Sequence, residues 1–119
     1  MLRERTDLAV GYSGDWGMAA AMLSGADAFY SVLGGILPAP VVSLAQAARA
    51  GDSDEAERPD AALAPLWKSF KAYGSLRVMY VLLDMLGLGQ AVLPRPILPL
   101  EGETRERVVS AAVPLLASR

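Results

Sequence analysis

Two short apolar runs, Leu8–Tyr12 and Ala28–Leu33, constrain this chain more than any other feature. Both are apolar at consecutive positions rather than alternate ones, the pattern of strands buried on both faces of a parallel sheet. Asp7 and the turn group Ser13-Gly14-Asp15 bound the first run. Asp15 stands where it can cap a helix through Trp16 to Ser24, which is rich in Ala, Met and Leu, and Gly25 stops that helix. Strand, helix, strand at this spacing is a βαβ unit with parallel strands and a right-handed crossover. Such strands need neighbours on both edges and helices on both faces. The chain offers only these two, so the pattern itself implies a missing partner sheet. The fold class expected is α/β, mostly helical by content.

Helices fill the remainder. Gly34-Gly35 and Pro38-Ala39-Pro40 form a loop, with Pro40 suited to the first turn of a helix over Val41–Ala50 that Gly51 ends. Asp52–Pro59 is the most charged stretch, and Asp54 with Glu57 has capping-box spacing. A long helix to about Tyr73 follows, with Pro59 and Pro65 predicting a kink or a late start. Gly74-Ser75 recaps the chain before Leu76–Leu86, apolar nearly all round and so a buried helix. Leu93-Pro94-Arg95-Pro96-Ile97-Leu98-Pro99-Leu100 cannot be helical and is expected to run extended over the surface. A last helix is predicted over Glu103–Leu116, broken or curved at Pro114.

Composition removes whole classes of chemistry. Cysteine and histidine are absent, so no disulfide, no thiolate or imidazole zinc site, and no Ser-His-Asp or Cys-His nucleophile can be assembled from this chain. A net charge of −2 gives no attraction for phosphate backbones or anionic lipid, so neither nucleic acid nor membrane is an expected partner. The longest apolar stretch, Met18–Leu37, is interrupted by Asp27 and three glycines and does not read as a membrane span. No targeting signal is visible, and a cytoplasmic location is expected.

Several segments, taken in order, resemble one family. Gly11-Tyr12-Ser13-Gly14-Asp15-Trp16, then Leu23-Ser24-Gly25-Ala26-Asp27-Ala28-Phe29-Tyr30-Ser31-Val32, then Pro38, look like the seventh and eighth strand segments of the dihydrodipicolinate synthase / N-acetylneuraminate lyase family. Ala50-Gly51-Asp52 with Leu63-Ala64-Pro65-Leu66, Leu76 to Gly87-Leu88, and Arg95 to Leu100 resemble its C-terminal helical extension. The resemblance implies a partial (β/α)8 TIM barrel over residues 1–38, its last two strands, followed by a helical extension over 39–119. It implies a pyruvate-handling lyase whose lysine forms a Schiff base with the keto acid, the iminium serving as electron sink without a further cofactor. In the family that lysine sits on the sixth strand, a tyrosine relay on the fifth and a hydroxyl-bearing pair on the second, all before Met1. The run Leu2–Asp7 resembles the helix end that precedes strand seven, so Met1 is expected to be an internal start. Alone, the chain is expected to be inactive, lacking the N-terminal barrel part. The complete enzyme is expected to be a homo-oligomer.

The resemblance also suggests substrate-binding residues. Gly14 and Asp15 match the segment after strand seven that lines the substrate end of the pocket. Tyr30 and Ser31 match the strand-eight pair beside the Schiff base, Ser31 as a hydroxyl contact to substrate. The chain departs from the pattern at Trp16, where a second acidic residue is common, at Ala28, where glycine is, and at Gly35, where asparagine is. Trp16 puts recognition of a hydroxylated aldehyde there in question.

Plainer readings stand beside these. Asp15 serves as a helix cap, Ser31 as a partner for backbone and Tyr30 as core. Gly11-xx-Gly14-xx-Gly17 lacks the Lys-Ser/Thr ending of a phosphate loop. Lys68 and Lys71, the only lysines, lie one turn apart on a charged, solvated face, and Asp54, Glu55 and Glu57 read as a solvated helix start. Beside the lyase portion, two alternatives remain: a noncatalytic helical interaction module, and one chain of a split barrel enzyme. The particular keto acid and aldehyde, and whether the parent condenses, cleaves or dehydrates, are not written in these residues.

Overall fold

Strand β1 (Gly11–Ser13) and strand β2 (Ala28–Tyr30) pair in parallel, with Gly11 opposite Ala28, Tyr12 opposite Phe29 and Ser13 opposite Tyr30. The structure, a computed structural model, describes residues 7–116. A single 3-10 turn (Asp15–Gly17) and helix α1 (Met18–Leu23) connect the strands. Gly25, at φ +97°, ends α1 as expected, because the left-handed turn it permits returns two amides to orphaned carbonyls. Its own N–H reaches the Met22 carbonyl, and the Ala26 N–H reaches that of Ala21, both at 3.1 Å.

Both strands are shorter than the apolar runs that predict them, for a specific reason at each end. Before β1, the Val10 N–H is taken by the Asp27 carboxylate at 2.7 Å. After β2, the Val32 and Leu33 amides are taken by Asp15, and the chain turns into a 3-10 turn at Leu33–Gly35. Nor are the strands buried on both faces. Leu8, Tyr12 and Tyr30 are 69%, 48% and 68% exposed. Among the described residues no third strand pairs with either edge, so the apolar surfaces that the sequence provides have nothing to cover them. The purified 119-residue chain is therefore expected to self-associate and to bind hydrophobic dyes. Light scattering checks this; a monomer with a sharp cooperative melt contradicts it.

The chain divides into two compact units, Met1–Ala61 and Ala62–Arg119. The first is completed by helix α2 (Pro38–Arg49), which packs on α1. Met18, Met22, Leu33, Leu37, Val41 and Leu44 form its core. Helix α2 starts at Pro38, ahead of the predicted Val41, since prolines in a first turn lack only amides that would have no intrahelical partner. Helix α3 (Ser53–Tyr73) starts in the first unit. Its cap is Asp52, whose Oδ1 accepts the Glu55 N–H at 3.0 Å, so the cap falls two residues before the predicted Asp54. The helix starts at once and carries on through Pro59 and Pro65. Each proline deletes one ladder bond, while Ala, Leu, Glu and Lys around them sustain the helix.

The second unit holds the rest of α3, helix α4 (Ser75–Met85) and helix α5 (Gly102–Leu116). Leu63, Leu66, Trp67 and Phe70 recur at helical spacing as the buried stripe of α3. Helix α4 is not buried all round. Val78, Met79, Val81 and Leu82 are buried, but Leu76 is 42% exposed and Asp84 faces out to pair with Arg105 at 2.6 Å. The segment between α4 and α5 is nonhelical as expected, but it does not keep wholly to the surface, because the apolar side chains of Leu93 and Leu100 at its two ends are buried. The Leu98 carbonyl accepts from Arg77 Nε at 2.8 Å. Helix α5 continues through Pro114. No helix among the described residues is long and apolar enough to cross a membrane.

Candidate functional site

The C-terminal ends of β1 and β2 lie side by side, because parallel pairing puts Ser13 opposite Tyr30. The four residues singled out from sequence, Gly14, Asp15, Tyr30 and Ser31, all fall just at or beyond that edge. Gly14 adopts φ +97°, a conformation that glycine holds without strain, and this turns the chain from β1 into the Asp15–Gly17 turn. A side-chain oxygen, Ser13 Oγ, donates across to the Tyr30 carbonyl at 3.4 Å.

Asp15 does not cap the helix that follows it. Gly14 holds the cap position of the turn, without a side-chain bond. The Asp15 carboxylate crosses instead to the end of β2. Its Oδ1 accepts the Val32 N–H at 3.0 Å, and its Oδ2 accepts the Leu33 N–H at 2.8 Å and the Ser31 hydroxyl at 2.9 Å. Asp15 is only 1% exposed. A buried carboxylate is tolerable when each oxygen is met by donors, as here by Val32, Leu33 and Ser31. Ser31 Oγ in turn accepts the Gly34 N–H at 2.9 Å. Gly34 allows that approach, since a Cβ there would lie 3.3 Å from both Cβ and Oγ of Ser31. Two strand ends and the turn after β2 are thereby locked as one unit.

The remaining candidates sit differently. Tyr30, read as core, is exposed, with its ring over Gly11, where an added Cβ would lie 2.7 Å from Cε2. The core reading fails because the covering layer it presupposes is not among these residues. Trp16 is 45% exposed at the same end. Both lysines, Lys68 and Lys71, are exposed on α3 in the second unit. In that unit Arg107 is held above its ordinary value, chiefly by a hydrogen bond with Tyr73 and then by Glu103. No group of three or more acidic residues that could hold a metal occurs among the described residues. Sequence reasoning missed the amides of Val32 and Leu33, which donate to Asp15, whereas the Gly34 amide bears out the reading of Ser31 as a partner for backbone. A backbone donor leaves no side-chain signature.

Known proteins resemble this chain in sequence and in fold. The dihydrodipicolinate synthetase family model matches residues 2–113. Among solved structures, the dihydrodipicolinate synthase of Agrobacterium tumefaciens is 49% identical, with a TM-score of 0.88 over 92% of this chain and 37% of that one. The dihydrodipicolinate synthase of Bacillus clausii is 22% identical, with a TM-score of 0.83 over 95% and 40%. The 2-keto-3-deoxygluconate aldolase of Sulfolobus sulfataricus is 23% identical, with a TM-score of 0.77 over 98% and 40%. The last two likenesses are likenesses of fold. The chain thus spans well under half the length of these relatives. No match to the sequence was found among the curated proteins.

Proposed function

Because this chain belongs to the dihydrodipicolinate synthetase family, we propose that it is the C-terminal portion of a pyruvate-dependent Schiff-base aldolase or lyase. In this reading β1 and β2 are the seventh and eighth strands of a (β/α)8 barrel within residues 1–38, and residues 39–119 are its helical extension. The catalytic lysine belongs to the preceding part of the barrel, and the chain alone is inactive. The observation that carries the reading is the 49% identity to the Agrobacterium tumefaciens synthase over 92% of this chain. The site geometry supports it, since barrel chemistry gathers at the C-terminal ends of strands, where Gly14, Asp15, Tyr30 and Ser31 stand. These residues form one side of the pocket that receives pyruvate and the second substrate. The complete enzyme is a homo-oligomer of the cytoplasm.

A chimera tests this. The segment of the Agrobacterium tumefaciens synthase that matches this chain is replaced by this chain, and the product is incubated with pyruvate and borohydride. Intact mass is expected to rise by one reduced pyruvate adduct per chain. A folded chimera with no adduct refutes the reading.

A variant of this reading is a split enzyme whose barrel is completed by a separate polypeptide. A neighbouring gene encoding six barrel strands with a strand-six lysine supports the split form. A single continuous upstream frame removes it. A frame without that lysine favours the noncatalytic helical module.

A further inference from the structure

We propose that the cleft between α4, the nonhelical segment after it and α5 is a binding site for a small monocarboxylate with an apolar body, its carboxylate held by Arg77. The lyase reading makes no use of this cleft, and the test below does not depend on that reading.

The cleft has a volume of about 290 Å³, at the small end of the range for ligand pockets, about 300–1,000 Å³. All of its lining residues belong to the second unit. The buried part of the lining is apolar, supplied by Val81, Leu93 and Leu100. Three charged side chains share it, Arg77, Arg105 and Asp84. Arg105 Nη2 pairs with Asp84 Oδ2 at 2.6 Å, so these two charges offset one another. Arg77 is left as the net positive charge, and among the described residues no carboxylate pairs with it. It is half-buried, and a cation drawn partly out of water beside apolar walls gains from an anionic partner. Its guanidinium is also held in place, because Nε donates to the Leu98 carbonyl at 2.8 Å. With Nε occupied, the edge of Nη1 and Nη2 remains, two N–H groups side by side that match the two oxygens of a carboxylate. Tyr80, also in the lining, adds a phenol hydroxyl that can donate. One net positive charge suits a monoanion. A phosphate brings a second charge that this lining does not meet, and the apolar walls strip its hydration without replacing it. A hydrocarbon body, by contrast, is what Val81, Leu93 and Leu100 cover well.

Ligand-observed saturation-transfer NMR on the 119-residue chain tests this, with 3-phenylpropionate as probe and 3-phenylpropanamide as its neutral counterpart. The method tolerates self-association, and the amide reports whatever adheres to apolar surface alone. The acid is expected to bind with a Kd on the order of 1 mM, fitting a ligand of this size. The amide is expected to bind about tenfold more weakly or worse, for want of the charge-assisted pair. Arg77→Gln is expected to bring the acid down to the level of the amide. Arg77→Lys keeps the charge but not the planar fork and is expected to fall between. Ala91→Trp keeps Arg77 and its bond to Leu98 and fills the cleft with an indole from an exposed lining position. It too is expected to remove the preference for the acid. Far-UV circular dichroism checks that each variant keeps its helices. If Arg77→Gln does not fold, Ala91→Trp still decides the matter. Equal affinity of the unsubstituted chain for acid and amide overturns the proposal. A preference for the acid that survives in either folded variant, Arg77→Gln or Ala91→Trp, also overturns it, because the anion then sits elsewhere.

Discussion

Incubated with pyruvate and borohydride, the 119-residue chain by itself is expected to gain no adduct mass. A Schiff-base lysine works because burial or a neighbouring cation leaves its amine unprotonated and nucleophilic. The two lysines here, Lys68 and Lys71, are both exposed on α3. An exposed position lacks the enclosed, water-excluding setting that iminium chemistry uses. Neither lies on a strand. The contrast with the chimera is all or none, a stoichiometric adduct against background labelling, and intact mass spectrometry reads it directly. A stoichiometric adduct on Lys68 or Lys71 overturns the assignment of the nucleophile to a preceding part of the barrel.

The strands and helices were legible in the sequence because each rests on a local signal. Leu8–Tyr12 and Ala28–Leu33 announce parallel strands by being apolar at consecutive positions, and Gly25, Gly51, Gly74 and Gly87 mark the ends of helices. The ends of the strands were not legible, because carboxylates distant in sequence set them. Asp27 claims the Val10 amide, and Asp15 claims those of Val32 and Leu33. Asp15 shows the limit most clearly. As an acidic residue between a glycine turn and an Ala-rich stretch it carries every mark of a helix cap, yet the parallel pairing brings other amides within its reach. Asp52 took the cap of α3 from Asp54 for a similar reason, since closely spaced acidic residues make equivalent claims until the turn before them is fixed. Tyr30 and Leu76–Leu86 fail in the other direction. Apolar sequence states that a surface should be covered, and these residues do not contain the layer that would cover it.

Replacing Phe70 by alanine is expected to remove most of the stability of the second unit. Phe70 is 2% exposed, on the buried stripe of α3 that also holds Leu63, Leu66 and Trp67. Its ring meets that of Trp67 edge to face, with centroids 5.4 Å apart. Truncating a buried phenylalanine costs about 3–5 kcal/mol in lost transfer energy and residual cavity, and the edge-to-face contact lies within that sum. Against a total of roughly 5–15 kcal/mol for a small domain, such a loss moves the denaturation midpoint a long way. Trp67 is the natural probe, because Trp16, the other tryptophan, lies in the first unit. In a Trp16→Phe background, the Trp67 fluorescence transition is expected to shift to much lower denaturant in Phe70→Ala. Phe70→Leu, which keeps most of the volume, is expected to cost under about 1.5 kcal/mol. The ratio between the two variants separates packing from mere hydrophobicity. If Phe70→Ala shifts the transition no more than Phe70→Leu does, the stripe of α3 is not the core that the helical spacing and the burial both indicate.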